Sequence, residues 1–277
     1  MIRSRRPSLL IVLAHPDDEI FCGGVLAHLT ERGVRVTLVC ATDGEAGKPH
    51  PSLGPVEDLG TLRVEELRLS CTRLGIGEPV RLRFHDSARK ERQRHDDPHA
   101  LANVDMLDVE AAILGIIADV KPQVIVTFDP HGTYYHPDHL AAQRATTAAF
   151  FSSGAMGSEA PERLFYATML RDVFQRLADA SRGRGITDGL DPDVFASSAE
   201  MIAVSFDASP YLERKFSALA AHRSAFGVTL EMLKDPPPGV AEMLQAFRPV
   251  FEREVFLLGG TRGPIRQWPL QDFFDGL

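Results

Sequence analysis

The chain of 277 residues is 44% hydrophobic and 25% charged, ordinary values for a folded protein, which exclude a disordered, collagen-like or heptad-dominated chain. Thirty lysines and arginines against 38 aspartates and glutamates give a net charge of -8, the reverse of the balance that phosphate contacts favour, so a nucleic-acid partner is not expected. Three cysteines, Cys22, Cys40 and Cys71, are an odd number without CxxC spacing; no disulfide framework or cysteine-based zinc site is expected, and a reducing, cytoplasmic compartment is.

Ser4-Arg5-Arg6 ahead of an apolar run has a superficial twin-arginine look, but the run stops at Ala14, too short for an export segment or a membrane span. Residues 9–14 instead read as a first strand, apolar throughout as strands covered on both faces are. A helix over 24–32 ends at Gly33, a second strand covers 34–41, and 42–58 is a loop rich in glycine and proline. Val64, Leu67, Cys71 and Leu74 stand at helical spacing and predict a helix over 60–74. A third strand at 80–84, a polar loop at 85–103, an apolar helix at 104–120 and a fourth strand at 124–128 follow.

Beyond 150 the expectations are strands at 164–167 and 202–205, a glycine-rich turn at 183–189, a helix over 210–222, a break at Pro236-Pro237-Pro238-Gly239 and a final apolar run at 255–258. Strand-helix alternation implies right-handed crossovers and a mostly parallel α/β sheet with helices on both faces. The chain is expected to form one domain over 1–277, with a core at 8–150 and a C-terminal elaboration at 151–277. In such sheets ligands bind beyond the carboxyl ends of the strands, where the polar clusters after residues 14, 41, 84 and 128 meet.

Two clusters there carry chemistry. In Ala14-His15-Pro16-Asp17-Asp18-Glu19, an imidazole and a carboxylate three positions apart suit a borderline cation such as zinc, while Asp17 points elsewhere. Taken alone, the segment reads equally well as a turn and helix cap. In His136-Pro137-Asp138-His139, Pro137 suits a first helical position, which puts both histidines at a helix entrance; the bland reading is a solvated helix start with Asp138 balancing the macrodipole. Both clusters at strand ends of one sheet edge outweigh the bland readings. They offer two histidines and one carboxylate with a fourth position open to water, the ligand count of a catalytic zinc site, and leave Asp17 and His136 for proton chemistry.

With these motifs the sequence resembles the LmbE-like, PIG-L-type family of zinc-dependent N-deacetylases, which includes the deacetylase and the conjugate amidase of mycothiol metabolism. Thr42-Asp43-Gly44-Glu45-Ala46-Gly47, Arg63 with Glu65-Glu66-Leu67, Asp86-Ser87, the segment 122–128 and Ala221-His222-Arg223-Ser224 extend the resemblance over most of the chain. It implies a Rossmann-like fold and hydrolysis of an amide, commonly the N-acetyl group of an amino sugar. By position it makes His15, Asp18 and His139 ligands of Zn²⁺, with Fe²⁺ as the alternative ion. Asp17 becomes the general base, an imidazolium at His136 the oxyanion stabiliser or general acid, and Tyr134 an oxyanion or substrate contact. Arg63 and Asp86 become substrate-binding residues. The partner is then an N-acylated small molecule; no membrane is expected, and homo-oligomerisation is left open.

Tyr135 departs from a glycine usual before the His-Pro-Asp-His motif, and its bulk is expected to narrow the pocket or reorient Tyr134. Ala225 stands where glutamine often follows His-Arg-Ser, and Ser87 is followed by Ala88 and the basic stretch 89–94 where mycothiol-type members have a Gly-Met pair, which speaks against transfer of the mycothiol substrate. That stretch reads better as a solvated loop than as a clamp for an anionic group. Thiol-conjugate amidase and antibiotic-pathway deacylase are alternatives within the family; a silent metal-binding protein or a receiver-like module is the alternative of another class.

Overall fold

Residues Ser8–Leu13 form β1 and are all buried, with alternate side chains feeding two separate layers of core. Leu9, Ile11 and Leu13 pack on one face with Leu26, Leu67, Leu219 and Phe251, while Leu10 and Val12 pack on the other with Val109, Ile113, Ile117 and Phe150. The computed structural model describes residues 6–180 and 191–277, so the turn expected at 183–189 lies outside the described residues.

The remaining strands are β2 (Arg35–Thr42), β3 (Val80–Phe84), β4 (Val124–Phe128), β5 (Arg163–Thr168), β6 (Ile202–Asp207) and β7 (Arg253–Thr261). They form one sheet in the order β3-β2-β1-β4-β5-β7-β6. The first five strands in the chain pair parallel, as the alternation predicts, whereas β7 runs antiparallel between β5 and β6. The second half of the chain therefore completes the sheet at one edge.

On the Leu9 face lie α1 (Gly23–Glu31) and α2 (Leu59–Leu74); on the Leu10 face lie α3 (Met106–Val120) and α4 (Pro137–Ser152). Asp58 caps α2 by accepting the Thr61 N–H at 2.9 Å, and Gly75 ends it in the left-handed conformation. The longer helices that follow are α5 (Arg171–Ala180), α6 (Leu212–Leu219) and α7 (Pro238–Glu252). The helix expected over 210–222 is thus shorter, and the expected break at 236–239 opens α7, with Pro238 in its first turn where a missing N–H costs nothing.

The C-terminal elements also hold the start of α1, directly after the first polar cluster. Glu254 of β7 accepts the backbone N–H groups of Gly24 at 2.8 Å and Val25 at 2.7 Å, and its buried charge pairs with Lys215 of α6. Among the described residues, no helix is long and apolar enough to cross a membrane.

Candidate active site

Since β1 and β4 are parallel neighbours, the segments that leave their carboxyl ends meet. His15 Nδ1 stands 3.2 Å from His139 Nε2. The Asp18 carboxylate reaches both, with Oδ1 at 3.3 Å from His139 Nε2 and Oδ2 at 3.6 Å from His15 Nδ1. Asp18 is fixed in turn because its Oδ2 accepts the His15 backbone N–H at 2.8 Å. The two clusters singled out in the sequence are one buried site.

The outer nitrogens of both rings are committed. His15 Nε2 lies 3.0 Å from Asp138 Oδ2, and His139 Nδ1 lies 3.1 Å from the Gly132 carbonyl oxygen. Each acceptor places the ring proton on the outer nitrogen and turns a lone pair inward, as ligand histidines require. Gly132 is needed for this approach: its φ is +57°, and a Cβ there would stand 2.9 Å from His139 Cβ. Phe128 stacks on the His139 ring at 4.0 Å between centroids and holds its plane.

These residues fit a cation. Two nitrogens bonded at about 2.0–2.1 Å to one tetrahedral ion stand roughly 3.3 Å apart, close to the observed separation. The field favours positive charge: burial opposes an imidazolium, but Asp138, Asp18 and Asp86 hold His15 well above its ordinary value. Asp138 is wholly buried, its Oδ1 has no hydrogen-bond partner, and among the described residues its recorded ion-pair partners are the imidazoles of His15 and His136. Asp138 is set behind His15, where it also accepts the Ser87 N–H at 2.9 Å, rather than at a solvated helix start.

Asp17 meets Arg63, whose Nη2 donates to its Oδ2 at 2.8 Å. Its backbone adopts φ 114°, a strained conformation for a residue other than glycine, secured by the Asp17 N–H donating to Glu19 Oε2 at 3.1 Å. Glu19 is fully buried and its other oxygen meets His222 Nε2 at 2.6 Å. Burial disfavours charge on His222, but Glu19 holds it above its ordinary value. His222 is thus a buried support for the Asp17 turn.

Arg63 was expected to bind substrate, and the structure commits it internally. Its Nη1 donates to the Gly44 carbonyl at 2.9 Å, and its Nη2 donates to the Pro16 carbonyl at 2.6 Å and to Asp17 Oδ2 at 2.8 Å. Gly44, at φ +68°, leaves the space: a Cβ would lie 2.4 Å from Arg63 Nη1. Burial raises the Asp17 carboxyl above the usual carboxylate value, Arg63 opposes that rise, and Asp18 adds to it.

His136 caps α4, and its Nδ1 accepts the Asp138 N–H at 3.2 Å. Burial, and then the positive charge of His15 and His139, hold it far below the ordinary imidazole value. Together with the Nδ1 cap, which protonation would cost, this lowering favours a neutral ring with its proton on Nε2 over the expected imidazolium. The rings of His15, His136 and His139 bring one nitrogen each within 4.8 Å of one another, so His136 also lies within reach of the centre.

Tyr134 stands over the cluster, 4.9 Å from His139 and 6.1 Å from His136 between ring centroids. Burial, then the Asp18 charge, raises its phenol, which stays a protonated donor. The bend that carries it is braced by Asp129, whose Oδ1 accepts the N–H groups of His131 at 3.1 Å and Thr133 at 2.9 Å. Tyr135 turns outward, 59% exposed against Phe195, so its bulk does not narrow the pocket. Asp86, expected to bind substrate, is buried behind His15 with its Oδ1 at 3.7 Å from Nε2 and lines neither cavity beside the cluster. In the basic stretch, Arg92 and Arg94 are exposed and bond to Ala46 and Glu45, whereas Arg89 lies over the Tyr134 ring at 5.0 Å and faces the cleft. Cys22, Cys40 and Cys71 are all free and buried.

Residues 10–150 match the family model described as PIG-L: GlcNAc-PI de-N-acetylase. A 1D-myo-inositol 2-acetamido-2-deoxy-alpha-D-glucopyranoside deacetylase of Acidothermus cellulolyticus is 35% identical over 238 residues, covering 80% of each chain. An enzyme of the same name from Saccharomonospora viridis is 34% identical over 283 residues, covering 97% of this chain and 100% of its own. Among solved structures, the N,N'-diacetylchitobiose deacetylase of Pyrococcus horikoshii aligns with a TM-score of 0.56 at 20% identity over 91% of this chain and 83% of its own, a likeness of fold.

Proposed function

The chain belongs to the PIG-L family of GlcNAc-PI de-N-acetylases, and from that premise we propose that it is a zinc-dependent amide hydrolase that removes the N-acyl group of an amino-sugar-containing small molecule. The carrying observation is the convergence of His15 Nδ1, His139 Nε2 and Asp18 within 3.2–3.6 Å, with the outer nitrogens of both rings committed to acceptors. We take residues 1–277 as one domain, because a single sheet runs from β1 to β7.

His15, Asp18 and His139 would hold the ion, which supplies Lewis-acid polarisation of the amide carbonyl and a water acidic enough to attack at neutral pH. Asp17, beside the centre and anchored by Arg63, accepts the proton of the attacking water. The Nε2–H of His136 and the O–H of Tyr134 are donors for the oxygen that gains charge in the transition state. Asp17, then protonated, returns its proton to the departing amine nitrogen; a neutral His136 is not needed as the acid. Arg63 is a positioning residue for the base in this scheme. Asp138→Asn leaves His15 in place but weakens its outer acceptor, and should lower zinc affinity about 10–100-fold in a competition titration.

The direct test is amine release from 1D-myo-inositol 2-acetamido-2-deoxy-alpha-D-glucopyranoside and from simpler N-acetylated amino sugars. Release should stop with a chelator and return with added zinc. Release that ignores the chelator counts against the metal mechanism.

A further inference from the structure

Two cavities meet at the cluster and share Asp18, Phe21 and Tyr134 in their walls. The larger, about 380 Å³, opens past Asp17, Lys48 and Arg89 on one side and Leu59, Phe226 and Phe247 on the other. The smaller, about 50 Å³, is bounded by Asp18, His139 and Tyr134, has Arg253 and Glu254 in its wall, and is otherwise walled mainly by apolar side chains, among them Leu13, Phe128, Ala167, Met169, Val250 and Phe256. A site needs about 10–15 Å³ on this measure to hold one water, so the smaller cavity has room for about four, or roughly 120 Å³ of liquid. Its apolar walls give such waters few of the two to four polar partners they need. An alkyl chain of about three or four carbons fills the same space and gains from leaving water.

We propose that this cavity receives the acyl half of the amide and takes a chain longer than acetyl, so that the protein prefers a butanoyl-sized group. The inference rests on the amide-hydrolysis reading. The sizes of the two cavities set the direction of the substrate: only the larger has room for the amine half, beside Asp17, and the acyl half lies beyond Tyr134. In the reaction the water oxygen bonds to the acyl carbon and the C–N bond breaks. The amine leaves with the proton passed through Asp17, and the carboxylate product keeps its tail in the cavity.

Calorimetric binding of acetate, butanoate and octanoate to the zinc-supplemented protein tests the cavity without turnover. Each methylene moved out of water is worth about fourfold in affinity, so butanoate, two methylenes longer, should bind roughly fifteenfold tighter than acetate, and octanoate no tighter than butanoate because the cavity ends. Ala167→Leu fills the cavity from β5 and should abolish the gain while acetate binding stays; Val250→Phe, from α7, serves if that variant does not fold. Butanoate no tighter than acetate, or a gain that survives filling, overturns the proposal. Amine release from N-acetyl- and N-butanoylglucosamine separates the two readings. Release ten times faster from the acetyl compound overturns the cavity assignment and leaves hydrolysis standing. No release from either, with the carboxylate series intact, overturns hydrolysis of this substrate class and leaves the cavity assignment.

Discussion

Asp17→Asn is expected to lower turnover by about 10²–10⁴-fold with the zinc content unchanged. Asparagine keeps the size and the Arg63 contact but accepts no proton at the working pH. The substitution spares the centre because Asp17 is not needed to hold the ion: its carboxylate faces Arg63 Nη2 at 2.8 Å, while Asp18 faces the two histidines. Its backbone N–H, donated to Glu19, is untouched. Steady-state rates beside metal analysis of the same sample check the prediction. Near-normal turnover with a full complement of zinc would remove Asp17 from the mechanism.

His139→Ala should lose the zinc and, with it, at least on the order of 10³-fold in rate, since the polarisation supplied by a bound cation is worth several kcal/mol. The informative partner is His136→Gln. His136 lies close enough to His15 and His139 to be read as a third imidazole ligand, but its Nδ1 is held by the α4 cap, and Asp18 comes within 3.6 Å of His15 Nδ1 and 3.3 Å of His139 Nε2. His136→Gln should therefore keep zinc and lose rate, about 10²–10³-fold, the cost typical of one oxyanion donor. Zinc loss in His136→Gln with retention in Asp18→Asn would reverse the ligand assignment.

The resemblance makes Arg63 a substrate contact and His136 an imidazolium, and the folded surroundings add to both. Arg63 is surrounded by oxygens of Gly44, Pro16 and Asp17, which come from two other strand ends. At His136, burial and two neighbouring imidazoles outweigh Asp86 and Asp18. Glu19 and Asp129 carried no signal beyond their composition. Their function is to hold strained turns at Asp17 and Thr133, and strain is a property of the folded backbone.

By itself the sequence determined the alternation of strands and helices through β4, the N-terminal proline of α4, and the two polar segments whose meeting makes the site. These signals are local: apolar periodicity and capping depend on residues a few positions apart. Only the tertiary structure decided the antiparallel β6–β7 edge, the tethering of α1 by Glu254, the burial of Asp138 behind His15, the outward turn of Tyr135 and the apolar cavity beyond Tyr134. Each depends on which distant segment fills the space beside a side chain, and that neighbour fixes whether a polar group is solvated, paired or left as a donor.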